Sequence, residues 1–190
     1  MPITSGIKQS HPFGLSNLHI AEIATDTSTG VTYGDVFSFP EIVSISIEPQ
    51  SSDATLYGDD GAVDTANTTS VYNLSVEMAQ VPLEYKAFLL GHQFVDGKIV
   101  SKSTDVAPFV AIAFETLKSN GTKRYFKFLK VKFQEPTENS NTKGENIEFS
   151  TATLEARAIY RAYDNAVYNY ADEEEGFSGG AAWYTFAPEP

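Results

Sequence analysis

Cysteine is absent from this 190-residue chain, which excludes disulfides, thiolate metal ligands and cysteine nucleophiles. Histidine is nearly absent too: the three present, His11, His19 and His92, have no metal-ligand spacing and read as turn or surface residues. No run approaches the roughly 20 apolar residues of a membrane span, and Met1 to Phe13 lacks the apolar core of a signal peptide, so the expectation is a soluble, intracellular product. Basic residues are scarce: 13 Lys and Arg against 25 Asp and Glu leave a formal charge of −12. Tight nucleic-acid binding is therefore disfavoured, because phosphate contacts need clustered cations. Gly-x-Ser-x-Gly, phosphate-binding Gly loops and His-Glu-x-x-His are all missing. Asp59, Asp60 and Asp64 in YGDDGAVD lack the ligand alternation and terminal Glu of a calcium loop, and read as an acidic turn. The expectation is a protein that is not an enzyme and uses no cofactor or metal.

What the chain does contain is β-type patterning, most clearly in Ala107 to Phe133, where two apolar-rich runs flank Ser119-Asn120-Gly121-Thr122. Asn-Gly between such runs predicts a hairpin, with a type I′ turn as the default. The first arm is apolar at both parities, Val110, Ile112 and Phe114 alternating with Phe109, Ala111 and Ala113, so burial on both faces is expected. In the second arm the apolar parity switches from Phe126 and Phe128 to Leu129, Val131 and Phe133. Strand side chains alternate with period two, so a single inward face survives that switch only through a bulge or bend near Phe128 and Leu129. The same arm carries five of the 13 basic residues, and Lys130 and Lys132 are expected to face solvent or a neighbour's acids.

Elsewhere the pattern predicts strands at Leu18 to Ala24, Val31 to Tyr33, Ile42 to Glu48, Ser70 to Met78 and Ile147 to Tyr160, and a small hairpin about Asp96-Gly97. One short helix is expected over Pro82 to Gly91, started by Pro82 and stopped by Gly91, with Leu83, Ala87 and Leu90 on its buried stripe. Residues 51–69 are rich in Ser, Thr, Asp and Gly and read as a long loop or a β-extension toward a partner. The chain thus reads as a mainly β, antiparallel sandwich or barrel with one flanking helix. It comprises a domain over 1–163 with an N-terminal arm at 1–16, and an acidic, aromatic extension over 164–190.

The order of these segments resembles the major tail proteins, the tail-tube subunits, of long-tailed, non-contractile bacteriophages of Gram-positive bacteria. The residues that carry the resemblance are VTYGDVFSFPEIVSISIEP with SSDATLYGDDG (31–61), VPLEYKAFLLGHQFVDGKIV (81–100), VAPFVAIAFETLKSNGTKRYFKFLKVKFQEP (106–136) and NTKGENIEFSTATLEA (141–156). They span most of residues 15–160, and the tail beyond 163 has no counterpart among them. The resemblance implies a virion protein made in the host cytoplasm, assembled as stacked hexameric rings around a tape-measure protein. Tail-tip and terminator proteins would be its further partners, and DNA would pass through as cargo that is not tightly bound. Subunit contacts are expected at Leu56, Tyr57, Asp59, Asp60, Lys127, Lys130 and Lys132, and at the N-terminal arm. The alternative is a monomeric Ig-like module binding a carbohydrate or cell-surface ligand, with Trp183 and Tyr184 as its aromatic platform.

Overall fold

A run that is apolar at both parities cannot lie at the surface, and the structure puts it, with its hairpin partner, at the centre of the sheet. The computed structural model describes residues 10–59, 61–136 and 151–186. Its elements are β1 (Pro12–Thr27), β2 (Gly30–Phe39), β3 (Ile42–Gly58), β4 (Gly61–Met78), α1 (Leu83–Leu90), β5 (Gln93–Val95), β6 (Lys98–Val100), β7 (Phe109–Lys118), β8 (Lys123–Phe133), β9 (Ala152–Ala158) and β10 (Tyr168–Asp172). Two 3-10 turns follow, Glu173–Glu175 and Gly180–Thr185. Strands run in the order β2-β1-β7-β8-β9-β4-β3, all antiparallel, and β10 joins β8 off this path.

The expected bend is in β8. Val110 faces Val131 and Ile112 faces Phe128, so Leu129 and Lys130 both stand opposite Ala111. This two-against-one arrangement is a β-bulge, and it keeps Phe126 and Phe128 before it on the same core as Val131 and Phe133 after it. The bulge also divides the edge of β8. Arg124 to Phe128 pairs with β10, and Val131 to Phe133 pairs with β9. The sheet therefore curls: Leu18, Ile20 and Phe39 from one end of the strand order share a core with Leu74, Val76 and Met78 from the other. Since β2 and β3 remain at opposite ends of that order, the result is sandwich-like rather than a closed barrel.

Local turns follow residue chemistry with one correction. Asp96 and Gly97 both have positive φ, 51° and 74°, as a type I′ turn requires. At Asn120-Gly121 only Gly121 does, with φ 84°. There the Gly121 N–H donates to Lys118 O at 2.9 Å and Lys118 N–H to Thr122 O at 2.8 Å. That is the longer hairpin loop closed by a left-handed glycine, and Asn120 helps hold it by accepting from Thr122 N–H and Oγ1.

The helix is where the sequence places it, between Pro82 and a left-handed Gly91 at φ 74°. Gly91 is required twice over, since a Cβ would also lie 2.2 Å from Val106 O. Its buried residues are Ala87, Leu89 and Leu90, while Leu83 is exposed. Leu83 lies in the first turn, ahead of the part of the helix that meets the sheet. Tyr85 and Phe88 dock against Phe37 and Phe39 of β2.

Strands are longer than patterning suggests. β1 extends back to Pro12, with Pro12 to Ser16 paired along β7, so this part of the N-terminal arm is held by its own domain. The arm's residues 1–9, the polar loop beyond Pro136 and the expected start of the last strand at Ile147 lie outside the described residues.

Candidate assembly interface

Residues 51–69 form the distal half of a β3–β4 hairpin, not a loop with little regular structure. Ser51 faces Thr69, Asp53 faces Asn67 and Leu56 faces Asp64, continuing the ladder that begins at Ile42 and Met78. Residues 51–69 are mostly Ser, Thr, Asp, Asn and small side chains, which pair along a pleated backbone without an apolar stripe, and so the segment has no strand signature of its own. Among the described residues β4 pairs with β9 over Tyr72 to Met78, and beyond Val71 the hairpin continues there as a two-stranded ribbon. At about 3.4 Å per residue, Ser51 to Asp59 projects roughly 27 Å. Such a ribbon is marginally stable alone in water. Its tip exposes Leu56 (63%), Tyr57 (75%) and Val63 (66%), and Asp59 takes the left-handed turn position at φ 45°. Asp60 lies outside the described residues. From Ile42 to Val81 the chain has no Lys, Arg or His, against Glu48, Asp53, Asp59, Asp60, Asp64 and Glu77.

The lysine-bearing arm is placed differently from expectation, because the C-terminal segment folds back over it. Small residues Ala21, Ala111 and Ala113 line the outer face of β1 and β7, and Trp183 and Phe186 fill the space they leave. This supplies the second buried face that the doubly apolar first arm demands. Trp183 is 4% exposed, its Nε1–H donates to Phe126 O at 3.2 Å, and the Lys127 ammonium sits 4.4 Å from its ring centre. Gly180 permits the approach, since a Cβ there would lie 2.3 Å from the Tyr125 hydroxyl oxygen.

The acidic run locks this cap in place. Lys118, with a side chain only 4% exposed, pairs with Asp172 at 3.0 Å and with Glu174. Arg124 Nε donates to Asp172 at 2.8 Å. Glu173 accepts from Tyr125 Oη–H at 2.7 Å and from Lys123 N–H at 2.8 Å. Buried Glu115 collects Asn17 Nδ2, Lys123 Nζ and Tyr184 Oη–H within 2.8 Å. The Glu174 hydrogen bond holds Lys118 above its ordinary pKa. Burial alone would raise the Asp172 carboxyl, but hydrogen bonds from Lys118, Arg124 and Glu174 N–H override it and hold the group low. Burial, then the bond to Glu173, pushes the Tyr125 hydroxyl far up.

Further along the arm, Lys130 Nζ donates to Asp26 at 2.7 Å, and Asp26 also accepts from Ala162 and Tyr163 N–H. Lys130 and Lys132 both lie over the Phe109 ring, at 4.7 and 5.3 Å. The cations thus meet acids and rings of their own chain. Lys127 is inside the cap and Lys130 is spent on Asp26, contrary to the expectation of outward-facing partners, while half-buried Lys132 remains at the surface. The acidic, aromatic extension set apart over 164–190 packs on β1, β7 and β8 through β10, Trp183 and Phe186. Trp183 and Tyr184 are engaged there, which removes the platform that a monomeric binding module would use.

One cluster escaped sequence reasoning. His92 is mostly buried, its Nδ1 2.9 Å from Asp105 Oδ2 and its Nε2 2.6 Å from Glu135 Oε1. The Asp105 and then the Glu135 bond hold its pKa above the ordinary value. The partners lie 13 and 43 residues away, beyond any local motif. Among the described residues no group of three His, Cys, Asp or Glu could hold a metal ion.

Among the described residues the geometry comprises sheet edges at β2 and β3 with no further strand, an acidic ribbon with an exposed tip, and Lys118, Lys127 and Lys130 engaged within their own domain. A family model described as phage tail tube protein matches residues 41–184, which takes in the ribbon, both hairpins and all but the last residues of the cap. The extension thus falls within the family's span, although the resemblance drawn from sequence stopped short of it. No curated protein matches the chain. With most of its length covered by this match, the chain belongs to the phage tail tube protein family.

Proposed function

We propose that this protein is the repeating subunit of a phage tail tube, assembled into stacked hexameric rings around a tape-measure protein and closed by tip and terminator proteins. The observation that carries the reading is the β3–β4 ribbon: a family member of structural type exposes Leu56, Tyr57 and Val63 on a two-stranded projection that no other strand covers among the described residues. A second copy supplies the missing layer. Head-to-tail contacts of this kind close into rings or extend as filaments, and the free edges of β2 and β3 offer further pairing sites. Subunit contacts in this reading are Leu56, Tyr57 and Asp59 on the ribbon, Asp60 next to them in sequence, Lys132 on β8, and the N-terminal arm.

The charge of −12 suits a conduit for DNA. With many of its cations engaged inside the fold, the surface repels phosphate and a duplex slides rather than sticks. The test replaces Ser51 to Thr69 by a two-residue turn. Expected is a monomer whose thermal transition matches the intact protein and which forms no rings or tubes in negative stain. Unchanged assembly would overturn the reading of the ribbon.

A further inference from the structure

The ribbon needs a specific acceptor, and the fold offers one at its other end. β4 runs from the ribbon tip at Gly61 to Met78, where the chain passes into α1 and then β5–β6. Tip and β5–β6 hairpin therefore leave β4 at opposite ends. In that hairpin Gln93 faces Val100 and Val95 faces Lys98, so these four side chains share one face. All four are exposed, Val95 at 54%, and Lys102 Nζ reaches the same face by donating to Gln93 Oε1 at 2.9 Å. The face is thus apolar and cationic. On the ribbon, the cross-strand pair Leu56 and Asp64 shares one face, which is apolar and anionic in a stretch without a base.

We infer that the Leu56–Asp64 face of one copy's ribbon docks on the Val95–Lys98 face of the next copy's β5–β6 hairpin. The inference rests on the tail-tube reading and specifies its longitudinal contact. Leu56 packs on Val95 and Val100, Asp64 meets Lys98, and donor and acceptor at opposite ends of β4 make the contact head-to-tail, so it repeats without limit along an axis.

Because the chain has no cysteine, the contact is testable by cross-linking. Leu56→Cys and Val95→Cys proteins are mixed under assembly conditions and oxidised, with Leu56→Cys plus Tyr163→Cys, an exposed position outside both edge strands and the β5–β6 hairpin, as control. The expected result is an interchain dimer from the first mixture only, since a disulfide forms only when the Cβ atoms approach to about 4 Å. Asp64→Lys and Lys98→Asp each raise the critical concentration about tenfold or more, and the chain carrying both substitutions returns close to wild type. Assembly without the cross-link, or single reversals that assemble normally, would overturn the docking inference and leave the tail-tube reading intact. Failure of the intact protein to assemble at any concentration would overturn both.

Discussion

Trp183→Ala is expected to cost about 4 kcal/mol and to unseat the whole C-terminal cap. The magnitude follows from the site. An aromatic side chain buries about 150–250 Å², and Trp183 is only 4% exposed, so about 25 cal/mol per Å² gives an upper figure near 6 kcal/mol. Large-to-small changes of this kind cost about 3–5 kcal/mol. The Lys127 ammonium, 4.4 Å from the ring centre, also loses its aromatic face, a contact worth about 0.5–2 kcal/mol. A domain holds only about 5–15 kcal/mol in total, so most of the margin is at stake and the thermal midpoint is expected to fall by roughly 8–16 °C. The assay is urea unfolding followed by far-UV circular dichroism on dilute protein, because the substitution removes the only tryptophan. A loss below about 1 kcal/mol would refute the claim that the extension belongs to the core.

That single tryptophan also makes the cap's pH response visible. Asp172 has its carboxyl held below the ordinary 3.8, so its contribution is present above that value and is lost as pH falls through the lowered pKa. Lys118 is held above 10.5, so its contribution is complete below 10.5 and is lost as pH rises through the raised pKa. Trp183 emission is therefore expected to stay constant across the neutral range and shift to the red at both extremes. Constancy down to about pH 2 would contradict the ion-pair lock. His92, raised above 6.5 by Asp105 and Glu135, stabilises fully below 6.5 and loses that contribution as pH rises through its raised value. A proton NMR titration should place it above 6.5, and Glu135→Gln should lower it; a midpoint at or below 6.5 would contradict the clamp. Gly91→Ala is expected to destabilise by at least about 1–2 kcal/mol through its left-handed backbone alone, with the Val106 clash added. A neutral outcome in thermal unfolding would show that the helix end can relax.

How much of this was legible in the residues depends on the range of the interaction. The β8 bulge was legible because the parity switch after Phe128 is local and permits one geometric solution. Gly91 likewise announced the helix end, whereas Leu83 followed a helical stripe without touching the sheet, since a stripe records angle and not where the neighbour stops. Residues 51–69 hid their ladder because two polar strands stabilise each other through pairing, and neither has an inward face to imprint a period. The cap was least visible. An acid run has the same composition whether it is solvated or closes on Lys118, Arg124 and Tyr125 roughly 50 residues away. The doubly apolar Val110 to Phe114 stretch did demand a second covering layer, but not which segment supplies it. The site residues divide the same way: the apolar tip at Leu56 and Tyr57 stands exposed as composition suggests, while Lys127 and Lys130 found acids and rings that only the tertiary fold brings near.

The central claim is that the folded chain is built to associate with itself through its ribbon. Sedimentation velocity with negative-stain microscopy, on the intact protein over a range of rising concentration, tests it most directly. The account predicts a concentration-dependent passage from monomer to rings or tubes with six subunits per layer. A chain that stays monomeric at high concentration, with its ribbon intact, would contradict it.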